Sequence, residues 1–195
     1  MPQRRHHYFI THPNVVISDT VPVPQWPLSD LGRSRMTAAL RLPWIKDLTA
    51  IYCSTEQKAI DGAHILGEHL HLPFQTKHAL GENDRSSTGF LRPTEFEKVA
   101  DAFFANPEQS VRGWERATDA QARIVRAVTD LINADPSQGP TAIVSHGAVG
   151  TLLYCYLTDQ GISRRWDQPA NGGGNYFRFS LSPRGANAHW QAIDV

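Results

Sequence analysis

Two histidines stand just past short apolar runs: His12 after Tyr8-Phe9-Ile10 and Thr11, His146 after Thr141-Ala142-Ile143-Val144 and Ser145. A third run, Ala50-Ile51-Tyr52-Cys53, ends in Ser54-Thr55-Glu56, and Lys58 follows in the first turn of the next predicted helix. Runs of this length and type read as buried strands, and open α/β sheets collect ligands beyond the carboxyl ends of their strands. Parallel strands would bring all three polar tips to one edge. Two imidazoles and an ammonium gathered there, with carboxylates nearby, make a poor metal site and a good phosphoryl site. Metal-type spacing such as His-Glu-x-x-His is absent. Taken alone, His12 would be no more than a strand cap; the combination points to chemistry.

The elements that must position these residues alternate between strand and helix patterns. A proline-punctuated loop runs from Pro13 to Pro27. Ser29 then caps a predicted helix over residues 30–42, with Leu31, Met36, Ala39 and Leu40 inward. Residues 57–70 carry a helical stripe through Ala59, Ile60, Ala63, Leu66 and Leu70. Lys58 at its start is electrostatically odd, because a helix N-terminus favours negative charge. An anion bound there would remove the conflict; an exposed lysine would cost only about a few tenths of a kcal/mol.

Residues 78–91 form a polar loop containing Glu82, Asn83, Asp84 and Arg85. A capping box from Thr94 to Glu97 opens the next helix, with Phe96, Val99, Ala100, Phe103 and Phe104 as its apolar face. Gly113-Trp114-Glu115 leads into a long helix ending near Ala134, and residues 148–157 form another behind His146. Residues 162–174 read as an irregular loop whose three consecutive glycines supply flexibility. Tyr176 to Leu181 and Trp190 to Ile193 alternate, and predict a terminal hairpin joined by residues 182–188. The expected architecture is a single domain over residues 1–195, a three-layer α/β/α fold whose mostly parallel sheet has an antiparallel edge.

Bulk composition narrows the function. Lys plus Arg (19) equals Asp plus Glu (19), so no global field recruits nucleic acid or an anionic membrane. Cys53 and Cys155 are far apart and match neither a disulfide scaffold nor a metal site, which fits a reducing, cytoplasmic compartment. Arg4-Arg5-His6-His7 reads as a solvated lead-in to the first strand. No run is long enough to span a membrane.

In order and spacing, these segments resemble the histidine phosphatase superfamily, the phosphoglycerate-mutase-like fold. Residues 8–18 are similar to the strand and loop of its Arg-His-Gly signature, and Pro27-Leu28-Ser29-Asp30-Leu31-Gly32 resembles its Pro-Leu-Thr-Glu-x-Gly helix start. Ser54-Thr55-Glu56-Gln57-Lys58-Ala59 stands where Ser-Pro-Leu-x-Arg-Ala is usual. Gly113-Trp114-Glu115 is similar to Gly-Glu-Ser, and Val144-Ser145-His146-Gly147 to the second-histidine motif. The resemblance implies a small phosphorylated substrate, no cofactor and no metal. It implies His12 as nucleophile, Glu82 as proton donor, and His146 and Lys58 stabilising the phosphoryl oxygens; Thr11, Asn14, Ser18, Arg85 and Gly147 are the further candidates for binding the substrate.

The signature is broken within that pocket. Thr11 replaces the arginine before the nucleophile, Pro13 the glycine after it, Lys58 the second arginine, and Ser18 an asparagine. Losing a preorganised charge at a phosphoryl site costs roughly 10²- to 10⁵-fold in rate. Arg85 is the first candidate to replace the lost charge and Asn14 the second; Arg85 could equally pair with Asp84 or Glu82. Two readings follow: an active phosphatase of altered specificity, or an inactive relative that binds a phosphorylated ligand or partner. A phosphohistidine relay or protein phosphatase is a weaker third reading, and a mutase is disfavoured. Trp26, Trp114, Arg164 and Arg165 are candidates for a specificity pocket, and the terminal hairpin would be the edge of a homodimer.

Overall fold

The computed structural model describes residues 5–194, so Met1 to Arg4 of the basic lead-in and Val195 lie outside the described residues. In chain order the elements are β1 (His7–Thr11), α1 (Asp30–Ala39), β2 (Ala50–Cys53), α2 (Gln57–Leu70), β3 (Phe74–Thr76) and α3 (Pro93–Ala105). They continue with α4 (Ala117–Ala134), β4 (Thr141–Ser145), α5 (Gly147–Leu157), β5 (Asn175–Leu181), β6 (Arg184–Ala186) and β7 (Gln191–Ala192). The sheet order is β3-β2-β4-β1-β5-β6, with β7 also on β5. The first four strands of that order are mutually parallel, and β5 runs antiparallel to β1.

The pleat alternation divides the core in two. Tyr8, Ile10, Ile51, Cys53, Ala142 and Val144 face a cluster with Met36 and Ala39 of α1 and Ala59, Ala63 and Leu66 of α2. Phe9, Tyr52, Ile143, Phe177 and Phe179 face the other cluster, which takes Val99 and Phe103 of α3, Ile124 and Val128 of α4, and Leu152 of α5. The α/β architecture, parallel sheet and antiparallel edge are therefore as the sequence implies. Cys53 and Cys155 are buried free thiols. Among the described residues no helix is long and apolar enough to cross a membrane.

Several local expectations need correction. Arg5 is no solvated lead-in: it pairs with Asp135 and donates to the carbonyls of Ile132 and Gly139, while His7 is buried as the first residue of β1. Leu31 is 59% exposed, and the inward position on α1 belongs to Arg35, which bonds Asp194. α3 starts on Pro93 after Arg92, without a side-chain capping bond. The terminal hairpin is tighter than expected, because β6 turns back on β5 directly and β7 pairs with the opposite end of β5.

The glycines at 172–174 serve close approach rather than flexibility. Gly173 has φ of +80°, and a Cβ there would lie 2.3 Å from the His12 carbonyl oxygen. Gly32 plays a similar part on α1, where a Cβ would meet the Asn14 carbonyl oxygen at 2.1 Å. Both let backbone press against the loop that follows β1. Gly173→Ala is expected to destabilise the fold by about 1–3 kcal/mol, through the left-handed backbone and the clash together. Urea denaturation of the variant checks this.

Candidate active site

Strand register alone brings the two histidines together. Thr11 pairs with Ser145 across the parallel β1–β4 ladder, so the next residue on each strand is a histidine. The His12 N–H donates to the Ser145 carbonyl at 3.1 Å, extending the ladder by one bond. The rings meet edge to face, their centroids 5.2 Å apart. On the far side of β4, the Ser54 N–H donates to the Val144 carbonyl, which sets the tip of β2 alongside.

His12 Nδ1 lies 2.9 Å from the Pro13 carbonyl oxygen, an acceptor, so the ring proton is on Nδ1 and the lone pair is on Nε2. Burial first, and then the Lys58 ammonium, lower its pKa from 6.5 to about 4. The imidazole is neutral at physiological pH and available as a nucleophile. Gly174 N–H, donating to the His12 carbonyl at 3.1 Å, fixes the backbone from the other side.

His146 is 1% exposed. Its Nε2 sits 2.7 Å from Ser54 Oγ and 3.3 Å from Glu56 Oε1, and its Nδ1 has no hydrogen-bond partner among the described residues. Burial pushes its pKa down to about 3, against the opposing pull of Glu56.

Lys58 supplies one N–H to the Val23 carbonyl at 2.8 Å and another to Glu56 Oε2. The negative charge that balances Lys58 is the chain's own Glu56. That carboxylate also accepts the Glu82 N–H at 3.0 Å. Burial alone would raise its pKa, but His146, Lys58 and the Glu82 N–H bring it down to about 2. Sequence reasoning missed Glu56. The only local signal was its place two residues before Lys58, because its other partners are remote in the chain.

Glu82 crosses from its loop to the start of α5, where Oε1 accepts from Val149 N–H at 3.0 Å and Oε2 from Ala148 N–H at 3.2 Å. The N-terminal end of that helix therefore already holds a carboxylate. Arg85 lies 3.2 Å from Glu82 Oε2, with its guanidinium over the rings of Phe96 and Trp114. Of the two carboxylates considered for Arg85, the pair with Glu82 is present, and the Arg85 charge also acts, as a minor cause, to lower the pKa of the His12 ring. Arg123, on α4, donates to the carbonyls of Ala79, Gly81 and Glu82 and pairs with Glu115, clamping the Glu82 loop.

The remaining expected pocket residues are engaged elsewhere. The Thr11 hydroxyl donates to Gln168 Oε1 at 2.7 Å and accepts the Asn175 N–H at 3.0 Å. Asn14 Oδ1 accepts from Arg35, and Ser18 Oγ accepts the N–H groups of Thr20 and Val21 in its own turn. Gly147 opens α5 beneath Gln168, whose Nε2 lies 2.5 Å from where a Cβ would stand. Trp26 and Trp114 are buried, and Arg164 is tied to Glu97 and Asp101 on α3. Among the described residues, no group of three or more His, Cys, Asp or Glu could hold a metal ion.

The parallel sheet thus presents two facing imidazoles beside a lysine and a glutamate held at a helix start. The chain belongs to the histidine phosphatase superfamily, branch 1, whose model matches residues 21–186. That span begins beyond His12, so the divergent Thr11-His12-Pro13 segment lies outside it. The fold is shared with a mycobacterial glucosyl-3-phosphoglycerate phosphatase solved with inorganic phosphate, at 20% identity and a TM-score of 0.79, covering 98% of this chain and 99% of that one. Bacillus stearothermophilus YhfR is similar at 22% identity and TM-score 0.77, with 98% of each chain covered. An Escherichia coli putative alpha-ribazole-5'-P phosphatase follows at 15% and 0.68, covering 99% of this chain and 97% of that one. No curated protein matches the sequence. Family membership supports a phosphatase-type function.

Proposed function

We propose that the chain is a phosphomonoester hydrolase working through a phosphohistidine on His12. The observation that carries this reading is the tautomer of His12: Nδ1 is committed to the Pro13 carbonyl, and Nε2 keeps its lone pair 5.2 Å, ring to ring, from His146. In this reading Nε2 attacks phosphorus in line with the departing alkoxide. Glu82 protonates that oxygen, then takes a proton from the water that hydrolyses the phosphohistidine. In the resting site its oxygens meet the N–H groups of Asn83, Ala148 and Val149 and the Arg85 guanidinium. His146 and Lys58 stabilise charge on the equatorial oxygens, with Arg85 behind Glu82. The substrate is a small phosphomonoester, and this chemistry calls for no cofactor.

The test is a panel of phosphomonoesters assayed with wild type and His12→Ala, together with a search for acid-labile phosphate on the protein. Arg123→Ala should release the Glu82 loop and lower turnover by roughly 10- to 100-fold, as misplacing a reacting group by an ångström does. Arg123→Lys should not rescue it, because one ammonium cannot replace the guanidinium fork that reaches three carbonyls and Glu115. Steady-state kinetics beside a melting curve check both.

A second reading, a non-catalytic receptor for a phosphorylated ligand, draws on one observation. Thr11 is spent on Gln168 and Asn175, and Lys58 on Glu56, so neither stands free as the family's arginines would. Turnover by wild type that disappears in His12→Ala removes it.

A further inference from the structure

The formal charges of the site cancel. Lys58 and Arg85 bring two positive charges, Glu56 and Glu82 two negative ones, and both imidazoles rest neutral. Thr11 adds none. A phosphomonoester dianion entering such a site needs a positive charge that no side chain holds in advance.

His146 is built to acquire it. Its Nε2 lies against Ser54 Oγ and the Glu56 carboxylate, and Ser54 Oγ already accepts the Glu56 N–H at 3.2 Å. Ionised Glu56 therefore places the resting ring proton on Nε2. Nδ1 is left as a buried, unpartnered acceptor, which is the only position on the ring where a second proton can go. Glu56 in turn is held by Lys58 and by the Glu82 N–H, so it cannot swing away when the ring becomes charged.

We propose that Glu56 is a positioning residue that makes His146 the inducible cation of the site: phosphate binding draws one proton onto His146 Nδ1, and Glu56 balances the resulting imidazolium through Nε2–H. The proton substitutes for the charge that Thr11 cannot supply. The groups facing His146 are Glu56 and Ser54 beyond β2, Lys58 on α2, His12 beyond β1 and Glu82 from its loop. Of these, Glu56 and Glu82 favour the charged ring, whereas Lys58 and His12 oppose it. A dianion beside the ring adds to the favourable side and tips the balance. The proposal rests on the same anion pocket as the hydrolase reading, and adds which residue carries the charge.

The measurement is ¹⁵N NMR of histidine-labelled protein near pH 6.5, with and without saturating inorganic phosphate, in wild type, Glu56→Gln and Glu56→Asp. In wild type, His146 should show the neutral Nε2–H form alone and the imidazolium with phosphate, with uptake of about one proton per phosphate bound. In Glu56→Gln the ring should stay neutral even when phosphate is bound, and Glu56→Asp should restore part of the charging. A neutral His146 in phosphate-loaded wild type overturns the proposal, including the case where calorimetry finds the proton elsewhere, on Glu82. Equal charging in Glu56→Gln and wild type overturns it as well. So does tighter phosphate binding by Glu56→Gln with no proton uptake by wild type, since Glu56 would then simply obstruct the pocket. Charging without turnover would retain this proposal and discard the hydrolase; turnover without charging would do the reverse. Failure of wild type to bind phosphate would discard both.

Discussion

His12→Ala is expected to lower phosphomonoester turnover by about 10⁴-fold or more, the order of loss seen when an enzyme's nucleophile is deleted. The expectation follows from the geometry of a single ring. His12 is anchored through Nδ1 to the carbonyl of the next residue and through its backbone to Ser145 and Gly174, so only Nε2 is left to react. No neighbour can stand in for it. His146 has Nε2 committed to Ser54 and Glu56, and once its Nδ1 has taken up the proposed proton the ring has no lone pair left to attack with. A rapid-quench experiment should trap acid-labile phosphate in wild type and none in His12→Ala. His146→Ala should be milder, roughly 10²- to 10³-fold, because it removes charge stabilisation rather than the bond-forming atom. Comparable residual rates for the two variants would mean that the two imidazoles do not have different jobs.

How far this site could be read before the structure depended on the range over which each residue is held. His12 and His146 were legible because each terminates an uninterrupted apolar strand, and parallel pairing of β1 with β4 brings such ends together without further information. Lys58 stood out through local electrostatics, which pointed to a bound anion or an exposed side chain; the structure instead buries it against a carboxylate of the chain itself. The identity of that charge was hidden, because Glu56 is fixed by the Glu82 N–H 26 positions away and by His146, on another strand tip.

Other misreadings have the same origin. Arg35 is buried on α1 among partners remote in the chain, Asp194 159 positions away with Asn14 and the Asn171 carbonyl, while Leu31 faces outward. β3 went unseen because Phe74-Gln75-Thr76 is three residues with one apolar side chain, and only the edge of β2 makes it a strand. The glycines at 172–174 read as slack because nothing in their own neighbourhood reveals that the His12 and Pro13 backbone lies within contact distance. Long-range partners, rather than poor patterning, set the limit.

The same buried imidazoles should make the fold acid-labile well above the carboxylate range. His7 and His146 are each 1% exposed, with pKa values brought down to about 3, and half-buried His12 is brought to about 4. For His7 the cause is burial first and then Arg5; for the other two it is again burial that leads. In the unfolded chain all three revert to about 6.5. The unfolded state therefore binds more protons than the folded one between pH 6.5 and about 4, and stability, complete above 6.5, is lost as the pH falls through that window. Between pH 6.5 and 5 the loss is about 2 kcal/mol for each fully buried ring and somewhat less for His12. Their sum approaches the roughly 5–15 kcal/mol that a domain of this kind possesses. Asp167, whose pKa burial raises, opposes the trend, while the lowered Glu56 adds to it at still lower pH. Urea denaturation at pH 7, 6 and 5 should show midpoints falling steeply, and His7→Asn should flatten the slope by about one proton, although that residue lies at the opposite end of β1 from the site. Saturating phosphate should flatten it further if His146 is already charged in the complex, because a ring that is protonated in the folded state no longer rewards unfolding for taking up the proton.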